Sequence, residues 1–115
     1  MSDRTLYLVQ SNPLTGRDDE FNEWYDTIHV PEVVATPGMV SAQRYRIMDT
    51  EMSRLAGKPA HRYLVVYEMD EDPDIVMARV REQVASGAMR MHDALDMESV
   101  AMSFWAPHGD KVTHR

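Results

Sequence analysis

The sequence predicts an α+β domain in which two helices cover one face of a four-stranded antiparallel sheet, in the order β-α-β-β-α-β. Three observations carry this expectation. Four short runs rich in β-branched, aromatic and large apolar residues, at 5–11, 39–48, 61–69 and 99–107, are set off by turn-forming residues. Apolar residues at helical spacing separate the first run from the second, and the third from the fourth. The chain has 115 residues, a length for one domain, 1–115, and not for two.

The first strand (TLYLVQS) stops at Asn12-Pro13, and Leu14 to Arg17 form a turn. Asp18 and Asp19 suit the first turn of a helix, where free amides and the helix dipole favour acids. Phe21, Trp24, Tyr25, Ile28 and Glu32 then recur at i, i+3, i+4 spacing and mark one helical face. Pro31 lacks an amide donor and disfavours helical backbone at Val30. The helix is therefore expected to end or kink near His29, with 31–35 as an irregular last turn. Pro37-Gly38 breaks the chain before the second strand (MVSAQRYRIM). Residues 49–60, with Gly57 and Pro59, read as an exposed hairpin loop, and HRYLVVYEM at 61–69 is the clearest strand.

Asp72 is placed to cap a second helix that has Pro73 as its first residue. Val76, Val80 and Val84 give it an apolar stripe, and Gly87 suits its end. Residues 88–98 read as a short helical turn or loop, and SVAMSFWAP as the last strand. The polar tail after His108 is expected to fray. This order packs most economically with both helices on one side of the sheet, as in ferredoxin-like folds.

Nineteen acidic against twelve basic residues leave a net charge of −7. That field repels polyphosphates and anionic lipid, and no Lys/Arg cluster reverses it locally. Neither nucleic acid nor a membrane is an expected partner. The absence of cysteine excludes disulfides, thiolate metal sites and a Cys nucleophile. No signal-like or membrane-length apolar run is present, so a cytoplasmic location is the expectation.

A half-solvated strand alternates apolar with polar residues, but YLVVY at 63–67 and LYLV at 6–9 do not. Both sheet faces should therefore be apolar, and two helices cover only one. The loop at 49–60, with Thr50, Glu51, Ser53, Arg54 and Lys58, is too polar to cover the other. A second copy of the same sheet is the expected cover, which makes the protein a homodimer.

The chemistry gathers on the first helix. Tyr25 and His29 are four residues apart and Asp26 and His29 three, so both pairs can meet. At a helix C-terminus the dipole favours an imidazolium, and a neighbouring Asp26 adds to this. His29 then has two readings: a cap for the last carbonyls, or a general acid–base near neutral pH. In the second reading Asp26 orients the ring and Tyr25 polarises a substrate oxygen. Trp24 reads as core or as a ligand platform. Tyr7, Tyr63, Tyr67 and Trp105 on strands, and His92 in the MRMH segment, can line a small-molecule pocket or serve as core and interface. Arg44 and Arg46 share a strand face, as an ion-paired edge or a carboxylate clamp. The five histidines lack H-x-x-x-H spacing, and G-x-G-x-x-G, P-loop and G-x-S-x-G patterns are missing. No metal and no cofactor are expected.

The run from Glu20 to Glu32 (EFNEWYDTIHVPE), followed by Pro37-Gly38 and Arg44-Tyr45, resembles the EthD-like group of the dimeric α+β barrel superfamily. In that group a W-Y-x-x-x-H-x-P signature on the first helix precedes a P-G turn and the second strand. The strand ending Ser11-Asn12-Pro13 also fits. The resemblance implies a ferredoxin-like dimeric α+β barrel and favours a ligand-contacting or catalytic His29. The superfamily includes polyketide cyclases, cofactor-free monooxygenases, lactone isomerases, dehydratases and haem enzymes, among which fold alone does not choose. The leading expectation is a cofactor-independent enzyme of lyase, dehydratase, cyclase or isomerase type, acting on a small apolar carbonyl- or phenol-bearing substrate. The alternatives are a cofactor-free monooxygenase and a non-catalytic binding or accessory protein.

Overall fold

Burial alternates along the central strands even though hydropathy does not. In the computed structural model, which describes residues 4–115, Tyr7, Val9 and Ser11 of β1 (Thr5–Ser11) are buried. So are Val65, Tyr67 and Met69 of β3 (Tyr63–Met69). Leu6, Leu8, Leu64 and Val66 point the other way and are only partly covered. With β2 (Met39–Arg46) and β4 (Ala101–Trp105) these strands form one antiparallel sheet in the order β2-β3-β1-β4. This is the expected ferredoxin-like arrangement.

The first helix and the helix at 73–86 lie on the face of Tyr7 and Tyr67. The molecule is 21 Å along its shortest axis, the depth of one sheet and one helical layer. The opposite face is open. Its apolar residues continue into Tyr45 at 52% exposure and Trp105 at 56%.

The first helix does not stop at Pro31. Segments α1 (Asp18–Trp24) and α2 (Val30–Val34) are joined by a π-helical turn (Tyr25–His29), and the backbone stays right-handed helical through Trp24, Tyr25, His29 and Val30. The Val30 amide donates to the Tyr25 carbonyl, five residues back. This wider turn gives the pyrrolidine ring room beside the preceding carbonyls, so the proline is absorbed instead of breaking the helix.

The loop at 49–60 also differs from expectation. It contains a short helix, α3 (Glu51–Ala56), held by reciprocal bonds between Thr50 and Ser53. A serine here replaces the usual Glu or Gln of a capping box, which hid the signal. Helix α4 (Pro73–Ser86) matches its expected caps: the Asp72 carboxylate accepts from the Asp74 amide, and Gly87 ends the helix at φ +83°. Val76 of α4 is fully buried and packs over Gly38, which has φ +96°. Residues 88–98 are an ordered wall more than a surface loop. Met89, Ala94 and Leu95 are buried, and the Leu14 amide donates to the Ala94 carbonyl at 2.7 Å. A 3-10 turn (Met97–Ser99) leads into β4. Among the described residues no helix is long and apolar enough to cross a membrane.

Candidate functional site

Phe21 and Trp24 fill the space between the first helix and neighbouring elements. Beyond them the layers part and surround an apolar cavity of about 400 Å³. That volume lies within the range of small-molecule sites. Tyr7, Val9 and Tyr67 form its floor on the sheet. Tyr25, His29 and Val33 form one wall, and Met77, Val80 and Val84 of α4 another. The cavity therefore lies between the sheet and both long helices, with part of the 88–98 wall closing one side.

The π turn explains how three positions spaced by four residues all reach it. Four residues of α-helix overshoot a full turn by about 40°. The wider turn between Tyr25 and His29 undershoots and cancels this drift, so Tyr25, His29 and Val33 line up along the cavity.

His29 stacks on Trp24 with ring centroids 4.4 Å apart, and stands edge-on to Tyr25 at 5.3 Å. Its Nδ1 is buried and has no hydrogen-bond partner. Burial pushes its pKa down to about 4. Both grounds for expecting an imidazolium are overturned. The helix runs on to Val34, so the C-terminal dipole lies a turn away, and there are no last carbonyls for His29 to cap. Asp26 is exposed and accepts from Arg44 Nη1 at 2.8 Å, so it positions Arg44 instead of His29. Near pH 7 His29 is a neutral base.

The tyrosines move the opposite way. Burial raises the Tyr25 phenol, although a Ser11 hydroxyl 3.4 Å away and the Arg44 guanidinium partly offset this. Burial, helped by the nearby Tyr25, pushes Tyr7 up to about 12, and its hydroxyl donates to Met102 Sδ at 3.0 Å. Tyr67 is raised further, again mainly by burial. The floor is made rigid by stacking of Tyr7 on Tyr67 at 5.3 Å and on Phe104 at 4.8 Å. Arg44, mostly buried, lies 4.7 Å over the Tyr25 ring and donates from Nη2 to Asn22 Oδ1 at 2.8 Å. It thus braces Tyr25 from behind and is not a free carboxylate clamp. Arg46 stays exposed on β2.

Of the residues singled out in the sequence, His29, Tyr25, Tyr7 and Tyr67 meet in the cavity. The others do not line it. Trp24 is buried behind His29 as a platform for its ring. His92 lies 5.9 Å from Trp24 in a separate shallow depression, and its Nδ1 accepts from the Ala94 amide. The Tyr63 hydroxyl donates to Asp18 and accepts from Asn22, on the far side of Phe21. Trp105 is on the open sheet face, with its indole donating to Ser103 Oγ at 2.7 Å. Its alternation with Phe104 settles this: β4 sends Met102 and Phe104 to the covered face and Trp105 to the other. On the α4 side of the wall Val80 and Val84 were legible as members of the Val76, Val80, Val84 stripe, of which Val76 packs over Gly38 instead. Met77 shares helical spacing with Val80 and Val84, whereas Arg81 is polar and Met89 and Met97 lie beyond the helix, so those three carried no periodic signal.

Glu20, His92 and Asp93 come close enough to share a cation. Both carboxylates are already bound by the Arg17 guanidinium, so this exposed group is an ion-pair cluster.

Fold and site together describe a ferredoxin-like α+β domain whose helix–sheet cavity sets a neutral histidine among protonated tyrosines. Two solved structures share this fold over nearly their whole length. One is a candidate monooxygenase from Shewanella loihica PV-4, with a TM-score of 0.57 and 14% identity, covering 97% of this chain and 99% of that one. The other is an ethyl tert-butyl ether D (EthD) family protein from Bacillus halodurans C-125, with a TM-score of 0.53 and 14% identity, covering 96% and 100%. The fold implied by the W-Y-x-x-x-H-x-P resemblance is thus the fold of an EthD family protein. No protein-family model matches the chain, and neither does any curated protein.

Proposed function

We propose that this protein is an enzyme that removes a proton from a small, largely apolar substrate bearing a carbonyl or phenol, with His29 as the base. The observation that supports this reading is the opposite displacement of acid and base within one cavity. Burial leaves His29 unprotonated at neutral pH, and keeps Tyr25 and Tyr67 protonated and able to donate hydrogen bonds. Such a pair suits carbon acids. Imidazole takes the proton, the electrons move onto the substrate oxygen, and phenol hydroxyls stabilise the resulting enolate or phenolate. Arg44 behind the Tyr25 ring draws electron density from it and strengthens that donor. Lyase, dehydratase, cyclase and isomerase reactions need no more than this proton transfer and oxyanion stabilisation, and no cofactor enters it.

The fold likeness to a candidate monooxygenase favours one second reading. The same carbanion can react with dioxygen. An oxygen electrode separates the two: uptake matching substrate consumed gives the monooxygenase, and turnover without uptake gives the lyase type. Tyr25→Phe should lower kcat about 10²-fold with little change in KM, because the lost donor acts on charge that develops only in the transition state. An unchanged kcat would remove Tyr25 from the oxyanion site. A tight ligand recovered unaltered would make the protein a carrier.

The open sheet face is read as the contact with a second copy. Leu6, Leu8, Leu64 and Val66 form its centre, and Tyr45 and Trp105 lie on its outer strands. Sedimentation equilibrium should then give about 26 kDa, twice the chain's 13.2 kDa. A species of single-chain mass at micromolar concentration would dismiss the pairing.

A further inference from the structure

Among the described residues the cavity has one permanently charged side chain, and it lies at the mouth. Arg81 of α4 lines the cavity while remaining exposed, which puts it at the rim. Its neighbours one turn away on either side along the helix, Met77, Val84 and Ala85, also line the cavity, so Arg81 is the one polar side chain within an otherwise apolar helical face. Among the described residues no Asp or Glu lines the cavity. Arg4, Arg17, Arg44, Arg54, Arg62 and Arg79 each pair with a carboxylate. Arg81 makes no such pair among the described residues. In a chain of net charge −7, an arginine kept clear of acids at the edge of an apolar cavity is available to an incoming anion.

We propose that the substrate is an anionic amphiphile, a small carboxylate with an apolar body, whose head group is held by Arg81 at the mouth while its body lies between the methionines of the wall and the tyrosine floor. This rests on the reading of the cavity as a substrate site and adds the substrate class to it. His29 and Arg81 face the cavity from different helices, so a ligand anchored at the rim presents its interior end to the base. The carboxylate stays in contact with water at the rim, and the guanidinium fork supplies it with two parallel donors. A neutral substrate would leave Arg81 solvated and without a role in binding.

The test uses two fluorescent probes of nearly the same shape: anilinonaphthalene sulfonate, which is anionic, and phenylnaphthylamine, the same ring system without the sulfonate. Dissociation constants are measured for the natural protein, for Arg81→Gln, and for Arg46→Gln as a control at an exposed arginine outside the cavity. The anionic probe should bind the natural protein more tightly than the neutral one. Arg81→Gln should weaken the anionic probe about tenfold and leave the neutral probe unchanged. Arg46→Gln should change neither. Equal affinity for the two probes, an Arg81→Gln effect no larger than that of Arg46→Gln, or equal weakening of both probes would overturn the proposal. The readout is binding alone. A failed anion preference therefore leaves the His29 chemistry standing, and an inert His29 leaves the anion preference standing.

Discussion

Replacement of His29 by leucine is expected to lower turnover by about 10²–10⁴-fold, the usual contribution of a positioned general base, while making the folded chain more stable. The two effects share one cause. His29 Nδ1 is buried without a partner, and its neutral state is maintained by burial alone. A leucine of similar breadth keeps contact with Trp24 and removes the unsatisfied nitrogen, a gain of about 1 kcal/mol. For a chain of this size that raises the unfolding midpoint by about 4 °C.

The pH dependence carries the same signature. The unfolded chain binds the His29 proton near the ordinary value of 6.5, the folded chain only near 4. Stability from this group is therefore complete above pH 6.5 and is lost as the pH falls towards 4, by up to about 3 kcal/mol. Thermal melts across that window should show the loss in the natural protein and a smaller loss in His29→Leu. The acid limb of kcat/KM should lie near pH 4, not near 6.5. Wild-type turnover in His29→Leu, or an acid limb near 6.5, would show that the base is another group.

The second large effect is structural. Gly38→Ala should destabilise the fold by about 3 kcal/mol or more, from two sources. At φ +96° an L side chain is strained. The new Cβ would also lie 2.5 Å from Val76 Cγ2 and 3.0 Å from Glu71 Oε2. Val76 is fully buried and cannot swing aside, so α4 itself must retreat. Since Met77, Val80 and Arg81 follow on the same helix, the retreat would also loosen the cavity wall. Urea titration measures the loss. A variant within about 1 kcal/mol of the natural protein would mean that α4 slides freely over the Pro37-Gly38 turn.

What the sequence disclosed depended on whether a feature was local. β1 was legible to the residue because Asn12-Pro13 ends it, and α4 because Asp72, Pro73 and Gly87 supply caps that act within a few residues. An irregularity near His29 was legible from Pro31, but not that the helix continues past it, because the remedy is a change of hydrogen-bond pattern five residues long, which leaves no mark in hydropathy. The α3 helix was missed because a serine did the work normally read from a glutamate. At the site, the spacing of Tyr25 and His29 was informative. The partner of Asp26 was not, because Arg44 arrives from a strand eighteen residues away and outcompetes the near neighbour. For Trp105 the choice between pocket and interface needed the β1–β4 register, since a shift of one residue exchanges the two faces, and the register puts it on the open one.

The two sides of the cavity differ in mechanical character. Tyr7, Tyr67 and Phe104 are locked in a stack, whereas the lining residues Met77, Met89, Met91 and Met97, away from the sheet, are unbranched thioethers that can repack around different shapes. Strictness and tolerance are thus assigned to different walls. The reacting atoms must meet a fixed set of groups, while the rest of the molecule enters a yielding surface. A protein divided in this way can acquire a new substrate through a change at one methionine, with the histidine and tyrosines left as they are, so its chemistry can outlast its specificity.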